Sequence, residues 1–251
     1  MTQPTDTHRS RRLTLPLVVA AIAALAAAVL FWTGRDGDVD SAPQPADRTA
    51  NSTDSGAAST AGPATQNPAA ELERREEGDP RAVGDVDAPV VMLAYSEFQC
   101  PFCGRFARET MPELQRYVDD GTLRIEWRDF PYLGPDSTLA ALGGRAAADQ
   151  DMFWELHDAV FADQPDPNSG VITEEWLVEK AEAAGLDPEA FEAALNSDPA
   201  HLESINEEQM EGVTLGVTGT PSFLINGTPV IGAQPTPTFV EAIDRAAAEA
   251  G

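Results

Sequence analysis

The sequence predicts an α/β domain with an inserted helical subdomain, preceded by a single transmembrane helix and a disordered linker. Three observations carry that expectation. An apolar run at 90–95 leads into Cys100-Pro101-Phe102-Cys103, and a helix-compatible stretch leads out of it. Helical patterns then follow one another without intervening strands until β character returns near Ser222. Upstream lie an uncharged run and a long stretch with too few large apolar residues to support a core.

Residues 1–12 are polar, end in Arg9, Arg11 and Arg12, and are assigned to the cytoplasm. Residues 13–32 carry no charge. A run of about 20 such residues crosses ~30 Å of hydrocarbon. Trp32 closes it as an interface residue would, and arginines before it with Asp36, Asp38 and Asp40 after it orient the N-terminus inward. The competing reading is a cleaved signal peptide. Ala24 and Ala26 could imitate a cleavage site, but Val29, Leu30, Phe31 and Trp32 would then remain exposed. Residues 33–80 read as a disordered tether, spanning on the order of 35–40 Å root-mean-square. Residues 81–251 form the folded domain, which the predicted topology places outside the cell membrane.

Within the domain, residues 90–95 are rich in β-formers and too short for a typical helix, so they read as a buried strand. The helix that follows, from Pro101 to about Val118, contains Pro112, which should kink or break it. Residues 122–128 alternate apolar and polar side chains as a strand does. The insertion, at about 137–214, comprises helices over 140–161 and 172–184 and two more starting at Asp187-Pro188 and Asp198-Pro199. Asn226-Gly227 joins two short strands as a hairpin turn, with Pro229 marking the second as an edge. Residues 236–248 close the domain as a helix with Phe239, Val240 and Ile243 inward.

Cys100 and Cys103 are the only cysteines of 251 residues. Two positions apart at a strand-to-helix junction, they suit thiol–disulfide exchange. Pro101 fits the first turn of a helix, where a missing N–H costs nothing. Cys100 then sits where unpaired N–H groups and the helix dipole favour a thiolate. A purely structural bridge would close too short a loop to constrain the unfolded chain much. Two sulfurs are too few for zinc, and His8, His157 and His201 have no ligand spacing. His157 is expected to pack near Trp154. The formal charge of −26 argues against nucleic acid as a partner. It fits solubility, or steering of basic clients.

Taken together, the residues resemble a known family. Asp87-Ala88-Pro89-Val90, Phe98-Gln99-Cys100-Pro101-Phe102-Cys103, Arg128-Asp129-Phe130-Pro131, residues 152–158 and Val217-Thr218-Gly219-Thr220-Pro221-Ser222-Phe223 are similar to those of DsbA-like thiol–disulfide oxidoreductases. These proteins have a thioredoxin-like fold with a helical insertion, and several are membrane-anchored. The resemblance implies that Cys100 and Cys103 form a redox-active disulfide, that no other cofactor is needed, and that a cis Pro221 faces it. It implies that Pro101, Phe102, Thr220 and Pro221 contact the client chain. The clients would be exported proteins with thiols or disulfides, and a membrane-bound redox partner would recycle the pair. Many thioredoxin-like proteins carry a buried acid six positions before the first cysteine; here that position is Ala94. Glu97 either takes over part of its proton-transfer role or is a solvated acid at the strand end. Phe102, which brings no positive charge, predicts a less depressed Cys100 and a weaker oxidant than a Cys-Pro-His-Cys relative. Disulfide formation is the expected direction, with reduction or isomerisation the alternative. A non-catalytic peptide-binding or chaperone module is a further alternative, against which the intact Cys-x-x-Cys argues.

Overall fold

A computed structural model describes residues 69–197 and 199–251. The expected membrane span at 13–32 lies outside the described residues, as does Asp198. Among the described residues no helix is long and apolar enough to cross a membrane.

The domain is built on a sheet of five strands, β1 (Ala82–Val83), β2 (Val90–Ser96), β3 (Leu123–Asp129), β4 (Ser222–Ile225) and β5 (Thr228–Ile231), ordered β1-β3-β2-β4-β5. Only β2 and β3 run parallel. Such a pair needs a crossover, supplied by α1 (Pro101–Arg105), a π turn over Phe106–Thr110 and α2 (Met111–Asp119). The discontinuity expected from Pro112 therefore appears as a π turn, with the proline in the first turn of α2. β2 is central and buried along its whole length, which explains its uninterrupted apolar character. Asn226 (φ 43°) and Gly227 (φ 81°) both take the left-handed conformation that a two-residue hairpin demands. The Asn226 amide also accepts from Val91 N–H at 2.8 Å, extending the ladder past the turn. Pro229 lies on edge strand β5, where a missing N–H interrupts no central ladder.

Five helices stand between β3 and β4: α3 (Pro135–Ala148), α4 (Phe153–Ala162), α5 (Glu174–Ala184), α6 (Pro188–Ser197) and α7 (Pro199–Thr214). The single helix expected over 140–161 is two, separated by a turn in which Asp151 takes φ 58°. Apolar spacing continues across that turn, so periodicity alone does not show the break. Asp187 caps α6, accepting from Glu189 and Ala190 N–H at 3.0 and 3.1 Å. The insertion has its own apolar core, into which Phe98 and Trp127 reach from the sheet domain. α8 (Thr236–Ala250) packs Phe239 and Ile243 with Phe106 and the Met92 and Ala94 face of β2.

The polar side chains of β3 do not meet water: Arg124, Glu126 and Arg128 on one face and Asp129 on the other are all buried. Glu126 pairs with Arg124 (2.9 Å) and Arg128 (3.1 Å), while Asp129 pairs with Arg145 of α3 (2.7 Å). The linker expected to run to residue 80 gives way earlier. The backbone N–H groups of Arg74 and Arg75 donate to the Glu126 carboxylate at 2.9 and 3.0 Å. Ala69 and Leu72 pack with Val91, Leu93 and Tyr95 on the other face of β2. A buried carboxylate requires such donors, and this segment supplies them.

Candidate active site

Strand β2 delivers the chain to the site, and α1 begins there. Cys100 is the N-cap of α1, with extended backbone (φ −72°, ψ 118°) and Pro101 following at the first helical position. Its carbonyl accepts from Gly104 N–H at 3.1 Å. Gln164, just beyond α4, ties this turn down by donating to the carbonyls of Phe98 and Cys100, both at 2.9 Å. A side chain at Gly104 would collide with Gln164, so this brace requires glycine after Cys103.

Both cysteines are free thiols here. Cys100 is 2% exposed and Cys103 1%, so both sulfurs are buried. What separates them is their polar surroundings. The Cys100 thiol is lowered to about 6, chiefly by the hydrogen bond from the Cys103 thiol. Thr220 and the N–H groups of Phe102 and Cys103 add to this, against the burial that raises it. Burial pushes the Cys103 thiol well up, and the neighbouring Cys100 reinforces it. One sulfur is therefore ionised near neutrality and the other is held as a thiol.

The loop ahead of β4 closes over Cys100. The Thr220–Pro221 peptide is cis. The Cys100 thiol donates to the Thr220 carbonyl at 3.2 Å, a bond that ends when Cys100 ionises and that frees the carbonyl for another donor. Phe102 is 56% exposed and carries the Arg105 guanidinium over its ring at 5.1 Å.

Glu97 is 2% exposed, which removes the reading of a solvated acid at the strand end. Burial, together with the charge of Cys100, raises it to about 7 in spite of a hydrogen bond from the Ser137 hydroxyl. Ser137 in turn accepts from the Gln99 amide at 2.8 Å, and the Gln99 oxygen accepts from Asn168 N–H at 2.8 Å. Ala94, where an acid is common, pairs with Trp127 and Phe223 in the sheet.

Several contributors carry no motif signal. Tyr132 is half-exposed beside Thr220, and its hydroxyl is raised by burial and then by the Cys100 charge. It follows directly on Arg128-Asp129-Phe130-Pro131, the one hint of its place. Ser137 and Gln164 come from the insertion, far away in sequence, and only the fold brings them in. Among the described residues no cluster of His, Cys, Asp and Glu could hold a metal ion.

The geometry agrees with the comparisons. A family model described as Thioredoxin matches residues 76–245. A probable disulfide bond formation protein D of Bacillus anthracis is 32% identical over 152 residues, covering 59% of this chain and 70% of that one. Oxidised BdbD from Bacillus subtilis superimposes with TM-score 0.63 at 23% identity, over 68% of this chain and 94% of its own. Wolbachia pipientis α-DsbA1 gives TM-score 0.63 at 25% identity, over 74% and 98% respectively.

Proposed function

Because this chain belongs to the thioredoxin family and is a DsbA-like thiol–disulfide oxidoreductase, we propose that Cys100 and Cys103 are its redox pair and that it forms disulfides in exported proteins. The observation that carries the reading is the unequal pair: Cys100 lowered to about 6 at a helix start, Cys103 buried and held protonated behind it. A client thiolate attacks the Cys100 sulfur of the oxidised pair, and Cys103 leaves and takes up a proton. A second client thiolate then attacks the client sulfur of the mixed disulfide. A client disulfide forms, and Cys100 departs as a stabilised thiolate. A thiol of low pKa is a good leaving group, which favours this direction over reduction.

Pro101, Phe102, Thr220 and Pro221 form the docking surface, the Thr220 backbone pairing with an extended client segment. The electrons taken from the client rest on the chain's own sulfurs until the recycling partner removes them, so the chain uses no further cofactor. A membrane-bound redox partner restores the disulfide, and residues 13–32 hold the domain on the outer face of the cell membrane. The test is the purified full-length protein with a reduced, unfolded client. Oxidised protein should generate client disulfides stoichiometrically, and Cys100→Ala should abolish this. A protein that neither oxidises thiols nor reduces disulfides would refute the reading.

A further inference from the structure

Turnover must ionise and reprotonate Cys103, yet this sulfur is 1% exposed and sealed from bulk water. Beside it lies a small, largely buried pocket of about 10 Å³, room for a single water molecule. Ala94, Ser96, Cys103, Trp154 and His157 are among the residues that line it. The small side chain of Ala94 helps to leave the space. Several polar groups meet there. They belong to Ser96, Cys103, His157 and Trp154, whose Nε1–H is buried without a partner. A buried water needs two to four such groups.

His157 is 3% exposed and ringed by Phe161, Trp154 and Trp127 at centroid distances of 4.7, 5.0 and 5.5 Å. Its Nδ1 lies 2.8 Å from an Asp158 carboxylate oxygen. A carboxylate only accepts, so Nδ1 carries the hydrogen and Nε2 keeps a lone pair. The Asp158 side chain is 78% exposed, so the ring stands between this pocket and a solvated acid. The charged and titratable groups around the ring are Asp158 on its own helix, Cys103 on α1, and Arg108 of the π turn, which donates to the Phe161 carbonyl and lines a surface pocket with Asp158. From β2, β3 and β4 come Ala94, Ser96, Trp127 and Phe223, none of them charged. Burial lowers the imidazole's affinity for a proton, so it rests neutral. Glu97 does not line this cavity, and its charge is felt together with that of Cys100, not Cys103.

We propose that His157 is the proton relay of Cys103, working through one water molecule held in this cavity. The proposal deepens, and rests on, the thiol–disulfide reading above. When a mixed disulfide on Cys100 is resolved internally, the Cys103 proton passes through the water to Nε2. The Cys103 thiolate attacks the Cys100 sulfur, the Cys103–Cys100 bond forms and the Cys100–client bond breaks. The client leaves as a thiolate and takes a proton from solvent, and the imidazolium returns its Nδ1 proton to solvent by way of Asp158. The pair is oxidised and the client sulfur reduced. In the opposite direction the same ring delivers a proton to Cys103 as it leaves.

The test follows the reduced full-length protein with glutathione disulfide by stopped flow, with acid quench and mass measurement, from pH 5 to 9. Attack by Cys100 gives the mixed disulfide, and attack by Cys103 resolves it. His157→Gln should leave the first step unchanged, slow the second about tenfold or more, and flatten its pH dependence near neutrality. Ala94→Val, which fills the cavity and leaves the imidazole in place, should slow the same step. Resolution at the wild-type rate with the wild-type pH profile in both variants overturns the relay. If His157→Gln does not fold, Ala94→Val decides by the same criterion. If wild-type protein fails at the first step, the thiol–disulfide reading itself falls, and the relay with it.

Discussion

Cys103 is buried and its thiol is held protonated, so its influence on Cys100 can be measured through the Cys100 thiolate. The largest cause of the low Cys100 value, about 6, is the hydrogen bond it receives from the Cys103 thiol. Hydrogen bonds to a charged partner contribute about 1.5–3 kcal/mol, and one pKa unit corresponds to ~1.4 kcal/mol. Cys103→Ala should therefore raise the Cys100 pKa by about 1–2 units. Cys103→Ser keeps a donor and should hold most of the depression. The assay is the rate of iodoacetamide alkylation against pH, with circular dichroism to confirm the fold. Half-maximal alkylation should move from near pH 6 to about pH 7–8 in the alanine variant. An unchanged midpoint would show that the helix N–H groups and Thr220 stabilise the thiolate by themselves, and the account of the unequal pair would fail.

Phe102→His adds a titratable cation beside Cys100 and should lower its pKa further. About one unit corresponds to ~30 mV toward a stronger oxidant, measured against glutathione buffers; an unmoved potential would refute the role assigned to Phe102. Glu97 is raised from 4.5 to about 7, so its contribution to stability is fully present below pH ~4.5 and lost as pH rises through ~7. Glu97→Gln in the disulfide form should flatten that decline in urea unfolding between pH 5 and 8. Glu126 is held down at about 2 from 4.5, so its contribution is present above pH ~4.5 and lost as pH falls through ~2. Glu126→Ala leaves buried Arg124 without its carboxylate and Arg128 with only Glu211, and should cost about 3–5 kcal/mol at pH 7 by chemical denaturation.

The redox pair was legible because its chemistry is local: two sulfurs, a proline and a helix start lie within a few residues. The Asn226-Gly227 hairpin and the Pro229 edge were legible for the same reason, since each follows from the conformations those residues allow. The polar face of β3 was not. Alternation marks two faces of a strand, but not whether the polar one meets water or the arginines of other segments. The burial of Glu97 depends on Ser137 and the insertion above it, a contact forty residues distant. The imidazole of His157 was expected near Trp154, and it lies there at 5.0 Å, but its place on the Cys103 cavity emerges only in three dimensions.

Arg74 and Arg75 clasp Glu126 through backbone N–H groups, and Arg74 also reaches Glu208 of α7 at 3.1 Å. This clasp bears on mechanics. A pull on the chain ahead of Ala69 meets the packing of Ala69 and Leu72 on β2 and then a bundle of ionic and backbone bonds on β3. Cys100, at the start of α1, and the Thr220 loop ahead of β4 lie beyond that fastening. The load path thus runs into β3, away from the sulfurs.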